Sequence, residues 1–276
     1  MNSSQDVETQ FLDVPGGRLA YDVTGPDDAT LVLCVAGMGD VRAAFRFLVP
    51  KLVEADYRVA CMDQRGHGDS SAPWSGYGSP ATGKDMLALI RHLGGPATII
   101  GHSNAAAAAI WAAAQEPELV GALVLVGPFL RDGKLSPFLR LAEKIVTGSP
   151  LIWSRLYYPS LYKAARPADF TEYLRAMRLS LREPGRMAAA QGVATQQEQC
   201  RARIHELRCP VRIVMGSRDP DFPDAVAAAK DGEALIGQHT QVSLELIDGA
   251  GHYPHAELPE ATASAVLPFL ADVVHA

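Results

Sequence analysis

With 276 residues, 48% of them hydrophobic and 20% charged, the chain has the make-up of an enzyme-sized globule, and its composition excludes disordered, collagen-like and coiled-coil classes. Lys and Arg number 25 against 31 Asp and Glu, a net charge of −6, and no basic cluster offers a footprint for nucleic acid. No apolar run reaches the roughly 20 residues of a membrane helix, and the first residues lack the basic-then-apolar order of a signal peptide. The expectation is a cytoplasmic protein with neither a nucleic-acid nor a membrane partner. Cys34, Cys61, Cys200 and Cys209 have no CxxC spacing, so neither a zinc site nor a disulfide framework is implied.

In chain order, Phe11–Tyr21 reads as a hairpin and Thr30–Val35 as a buried strand between Gly/Pro turns. Arg58–Met62 is a further short buried run, ending at the glycine-rich DQRGHGDSS. Apolar residues Met86, Leu87, Leu89, Ile90 and Leu93 predict a helix over Lys84–Leu93, stopped by Gly94 and Gly95. Thr98–Gly101 is a strand that feeds directly into the alanine-rich, helix-favouring SNAAAAAIWAAAQE. After the strand Leu123–Val126 the rhythm changes. From about Leu130 to Leu207 only helical patterns occur, among them Phe138–Ile145 and Phe170–Leu181, as expected of an inserted helical cap. Strand and helix alternate again through Val211–Gly216, Asp224–Asp231, Val242–Ile247 and a last helix near Pro259–Val274. This order predicts an α/β fold, a mostly parallel sheet with helices on both faces, divided into core (1–129), cap (130–207) and core (208–276). Binding chemistry is expected beyond the carboxyl ends of the strands.

The sharpest local signal is GHSNA at Gly101–Ala105, lying between an apolar strand and a helix of small residues. A serine in such a turn is exposed on a strained backbone, and its neighbours must be small because strand and helix approach closely. Ser103 is therefore the candidate nucleophile, with a helix cap as the structural alternative. Ala105 stands at the last small position, where glycine is usual. The hydroxyl needs a base, and His252 in DGAGHYP follows a strand into a flexible loop at the expected edge. His255 is its nearest competitor, while His102 and His67 read as packing or loop support. For the carboxylate that orients the base, Asp219 comes at the first bend of GSRDPDFPD, with Asp221 and Asp132 as alternatives. The backbone N–H of Asn104 and that of Met38 in AGMGD are the candidate donors to a developing oxyanion.

With these residues in view the chain resembles the alpha/beta-hydrolase superfamily, in particular small capped serine hydrolases of esterase and lactonase type. AGMGD resembles the oxyanion loop, with Ala36 where many members have histidine. DQRGHGDSS resembles the D-x-R-G-x-G-x-S segment, and the order Ser103, Asp219, His252 matches the family. The resemblance implies an eight-stranded sheet, a cap inserted after the sixth strand near Gly127, no cofactor or metal, and hydrolysis through an acyl-enzyme. Trp153, Tyr157, Tyr158 and Tyr162 in SPLIWSRLYYPSLYKAARP are candidate walls for a small to medium apolar ester or lactone, or else they anchor the cap. Carbon–carbon bond hydrolysis of a diketone-like substrate and noncatalytic ligand reception on the same frame stand as the alternatives.

Overall fold

A computed structural model of the chain describes residues 8–131 and 145–274. Eight strands, β1 (Gln10–Val14), β2 (Gly17–Thr24), β3 (Leu31–Val35), β4 (Arg58–Met62), β5 (Ala97–His102), β6 (Val120–Val126), β7 (Val211–Gly216) and β8 (Val242–Ile247), form one sheet. Their order is β1-β2-β4-β3-β5-β6-β7-β8. β1 and β2 pair antiparallel, as do β2 and β4, and every later pair is parallel.

The central strands are apolar almost throughout because both of their faces are covered. Side chains alternate between two cores. Leu31, Leu33, Val35, Ile99, Leu123 and Leu125 join one cluster, which includes Met86, Leu89 and Ile90 of α2 (Ser79–His92) and the alanines of α3 (Asn104–Gln115). Val32, Cys34, Ile100, Val124 and Val126 face the other way, into a cluster with Leu52 of α1 (Val49–Glu54) and Val266, Phe269 and Leu270 of the C-terminal helix (Pro259–Val274). This is the two-residue period of a strand read out on two faces.

Parallel register brings the strand ends level. Val35 pairs with Gly101, His102 with Val126, and Gly216 with Ile247. The segments that follow β3, β5, β6, β7 and β8 therefore emerge along one edge, and these carry Met38, Ser103, Gly127, Asp219 and His252.

Between β6 and β7 the regular elements among the described residues are helical, including three contiguous short pieces over 150–160, the middle one (Trp153–Tyr157) π-helical, then α4 (Phe170–Leu181), α5 (Arg186–Val193), Gln197–Arg201 and a 3-10 turn (Ile204–Glu206). α4 buries Phe170, Tyr173, Met177 and Leu181, one stripe at helical spacing. These side chains form an aromatic cluster with Trp153, Tyr158 and Tyr162 and with Tyr253 and Ala256 of the core domain.

Boundaries depart from the sequence reading where small residues hide the periodicity. α2 begins at Ser79, not Lys84, because Pro80 occupies a first-turn position that needs no N–H donor. β6 begins at Val120 and runs through Gly121. The helix expected over Asp224–Asp231 is Ala225–Ile236, with the Asp224 carboxylate capping Ala227 N–H. The pattern read over Phe138–Ile145 and the alternative acid Asp132 lie outside the described residues, save Ile145 itself.

Candidate active site

Ser103 sits between β5 and α3 with φ 57° and ψ −123°, a conformation in which a residue with a side chain is strained. The turn is fixed on both sides: Ser103 N–H donates to Val126 O at 2.8 Å, and Ala106 N–H to Ser103 O at 3.1 Å. A Cβ on Gly101 would lie 2.8 Å from Ala105 O, so the position two before the serine must be glycine for strand and helix to meet. Ala105 is fully buried in that contact. Ser103 itself is half-buried.

His252 and Asp219 form a buried pair, Nδ1 to Oδ2 at 2.6 Å, with exposures of 2% for each residue. The imidazole rests against Gly127, where a Cβ would lie 3.1 Å from Cε1. Because Ser103 is bonded to Val126, the serine turn and the imidazole share this corner of the sheet edge. Among the described residues no hydrogen bond joins Ser103 to His252. Asp221, two residues beyond Asp219, places Oδ2 3.8 Å from His252 Nε2. Its own N–H donates to Asp219 Oδ1 at 3.0 Å, and Tyr157 OH donates to both its carboxylate oxygens, at 2.9 and 3.0 Å.

Burial disfavours the charged imidazolium of His252, yet the Asp219 and Asp221 carboxylates outweigh it and push the group up to about 9. Burial raises the Asp221 carboxyl, an effect opposed by His252 and reinforced by Asp219. Asp219, Asp221 and His252 are also the one group among the described residues that could offer a cation three ligand atoms, all within 4.8 Å of one another. Asp219 Oδ2 is hydrogen-bonded to His252, and both carboxylate oxygens of Asp221 accept from Tyr157 OH.

The loop after β3 is braced from behind by DQRGHGDSS. Gln64 Nε2 donates to Ala36 O at 2.6 Å, Gly39 N–H donates to His67 Nε2 at 3.1 Å, and Arg42 N–H to Asp63 Oδ1 at 2.7 Å. Since Nε2 of His67 accepts, its proton sits on Nδ1, directed at Arg65 O at 3.1 Å. Burial lowers this histidine to about 4 and keeps it neutral. Met38 lies half-buried on the same loop, packed against the aromatic cluster of the cap. Asn104 directs its side chain away, donating to Val193 O at 3.2 Å, while its backbone N–H lies in the first turn of α3, where amides have no intrahelical acceptor.

The four candidate wall residues divide. Trp153, Tyr158 and Tyr162 are buried, and each has a holding contact: the Trp153 indole occupies the space beside Gly39, Tyr158 OH donates to Asp40 Oδ2 at 2.8 Å, and Tyr162 stacks on Tyr253 at 5.2 Å. Tyr157 is half-buried and engages Asp221.

Sequence reasoning missed two carboxylates. Asp40, 1% exposed, accepts from Tyr158, from Tyr173 and from Val41 N–H, and so ties the β3 loop to the cap. Glu257 accepts from Gly251 N–H (2.9 Å) and Tyr253 N–H (3.3 Å) on the His252 loop and from Lys163 and Ala164 N–H (2.7 and 2.8 Å) on the cap. Their partners are distant in sequence, and the only local signals were an aspartate after AGMG and a glutamate five residues after the histidine. His102 does serve as loop support, with Nε2 donating to His252 O at 2.9 Å, and burial holds it well below its usual range. His255 is fully buried, stacked on Phe45 at 4.6 Å.

The alpha/beta hydrolase family model matches residues 32–265. The chain belongs to the alpha/beta hydrolase family. Among relatives, it is 28% identical over 267 residues to 2-(acetamidomethylene)succinate hydrolase of Mesorhizobium japonicum, covering 92% of each chain. It is 25% identical over 216 residues to 3-oxoadipate enol-lactonase 2 of Acinetobacter baylyi, covering 76% of this chain and 77% of the lactonase. In fold it matches a thermophilic esterase from Thermogutta terrifontis (TM-score 0.76, 23% identity, 96% and 99% coverage) and bromoperoxidase from Bacillus anthracis (TM-score 0.82, 21% identity, 96% and 100%). No helix among the described residues is long and apolar enough to cross a membrane.

Proposed function

We propose that the protein is a serine hydrolase that cleaves a small to medium apolar carboxylic ester or lactone through an acyl-enzyme. The observation that carries this reading is the 2.6 Å His252–Asp219 pair at the same sheet edge as the strained turn of Ser103. His252 Nε2 takes the Ser103 proton as Oγ bonds to the substrate carbonyl carbon. Met38 and Asn104 N–H groups receive the oxyanion, and the leaving alkoxide collects the proton from the imidazolium. Water, deprotonated by His252, then attacks the acyl carbon, and the imidazolium returns the proton to Ser103 Oγ as the C–O bond to the serine breaks and the acid leaves. Asp219 keeps Nδ1 protonated and the ring in register. Among the relatives, one is named a hydrolase and one an enol-lactonase, which supports the reaction class.

The cap, residues 130–207, is the source of specificity in this reading. Of Trp153, Tyr157, Tyr158 and Tyr162, Tyr157 is the best placed to meet substrate, and the other three shape the wall by anchoring the cap. Intact-protein mass spectrometry after exposure to a small fluorophosphonate tests the mechanism. One adduct is expected on wild type and none on Ser103→Ala, whose ester turnover should fall by about 10⁴-fold or more. Comparable turnover in folded S103A, or no adduct on wild type, overturns the proposal.

A further inference from the structure

Both nitrogens of the His252 ring face carboxylates. Asp219 takes Nδ1 at 2.6 Å, the geometry of a strong charge-assisted hydrogen bond. Asp221 lies 3.8 Å from Nε2, beyond hydrogen-bond distance but close enough for a strong Coulombic effect in a buried setting. Asp221 is not loosely placed. Its backbone is bonded to Asp219 Oδ1, and its carboxylate is gripped from the cap by Tyr157 OH. Tyr157 lies in the π-helical turn Trp153–Tyr157, whose Trp153 ring packs 5.0 Å from that of Tyr157.

Resting on the serine-hydrolase reading, we infer that Asp221 is a positioning residue for the base: a second carboxylate, set by the cap through Tyr157, that stabilises the protonated Nε2 formed when Ser103 gives up its proton. The nucleophile's base would thus be tuned by two acids from one loop, one fixing its orientation and the other its charge. A consequence follows with a definite sign. A carboxylate beside Nε2 lowers the energy of the imidazolium both in the free protein and after proton transfer. It therefore moves the rise of activity to higher pH and raises the rate reached above that rise. The other titratable groups facing His252 are Glu257 and His255 from the short helix after it, His102 from β5 and the neighbouring Tyr253. Asp221 itself faces Asp219, His252 and Tyr157. None of these changes in the variants below except by design.

Two readouts separate the claim from a structural effect. The first is the ring titration of His252 followed by NMR, which needs no substrate. The second is the pH dependence of fluorophosphonate labelling of Ser103. Asp221→Asn keeps the shape and removes the charge. It is expected to lower the His252 midpoint by about one pH unit or more. The rise in labelling rate should shift by the same amount, and the plateau should fall by about tenfold. Tyr157→Phe leaves Asp221 without its donor, favours its neutral form and is expected to move both quantities in the same direction by less. A variant that merely loosened the loop would slow labelling without displacing its pH dependence. A His252 midpoint unmoved in D221N, or in Y157F where D221N does not fold, overturns the role of Asp221. Wild type that is never labelled at Ser103 overturns instead the serine-hydrolase reading, whatever the imidazole does.

Discussion

The sheet and the cap of this protein are held by different forces. In the sheet, β3, β5 and β6 bury nearly every side chain, aliphatic or small apart from His102 at the end of β5, and cohesion is close packing between two faces and two helical layers. In the cap the buried residues include several tyrosines among the aliphatic side chains, and cohesion rests also on polar contacts to the core and within the cap: Tyr158 and Tyr173 on Asp40, Lys163 and Ala164 amides on Glu257, Arg46 on Asp169. A buried tyrosine contributes area wherever it packs but demands a partner for its hydroxyl. The sheet is thus a rigid frame indifferent to partner identity. The cap is keyed to particular acceptors on the loops that carry Met38 and His252, so it is the region through which pocket shape and loop geometry can be altered without unfolding the frame.

Variants break this contrast in a graded way. On the proposed mechanism Asp219→Asn removes the acceptor that fixes the imidazole, and kcat/KM for an ester substrate should fall by about 10⁴-fold, with thermal unfolding barely changed. A loss below tenfold would move the orienting role elsewhere, Asp221 first. Ile99→Ala opens a cavity in the centre of β5, where no neighbour can follow. It should cost about 2–5 kcal/mol in denaturant unfolding while the surviving folded protein labels at Ser103 normally. Asp40→Ala leaves the Tyr158 and Tyr173 hydroxyls without their buried acceptor and should cost about 1–3 kcal/mol. Here the cap should become the first site of proteolytic cleavage, and KM should rise more than kcat falls. Equal loss of protection across sheet and cap in D40A would dissolve the distinction between the two regions.

The same contrast explains what was legible in the sequence. The frame was legible because short apolar runs between turn residues and alanine-rich helices depend only on local order: β3, β4, β5, β7 and β8 appear within a residue or so of their expected bounds. Ser103, Asp219 and His252 were singled out because each follows a strand in a small-residue or glycine-rich loop, and the parallel register brings those loops to one edge. α2 started early because Ser79, Ala81 and Gly83 carry no periodic signal although Ser79 and Gly83 are buried. The keyed contacts were not legible. Asp40 meets Tyr173 across 133 residues, and Glu257 meets Lys163 across 94, and nothing in either local sequence announces the other. Trp153, Tyr158 and Tyr162 were visible as an aromatic cluster, but only placement separates them from Tyr157.

The weakest of the keyed contacts sharpens the comparison most finely. Arg46, from the loop region after β3, grips Asp169 just before α4 with both arms of the guanidinium at 2.7 Å and covers the Tyr173 ring at 4.1 Å. The hydrogen bonds from Arg46 hold the Asp169 carboxyl below its ordinary range. The aspartate side chain is 41% exposed, so solvent screening limits the pair to about 1 kcal/mol or less. With a folded-state value below the unfolded one, the contribution is complete above the unfolded carboxyl range near pH 4 and disappears as pH falls through the folded value. Asp169→Asn should therefore release the start of α4 at pH 7, seen as faster amide exchange in Phe170–Leu181, and its difference from wild type should shrink as pH falls and the wild-type carboxyl is itself protonated. High salt should shrink the pH 7 effect. Exchange in β5 should be unaffected at any pH tested that leaves the sheet folded, because nothing in its cohesion titrates with Asp169. A change in β5 as large as that in α4 would mean that frame and cap open as one unit.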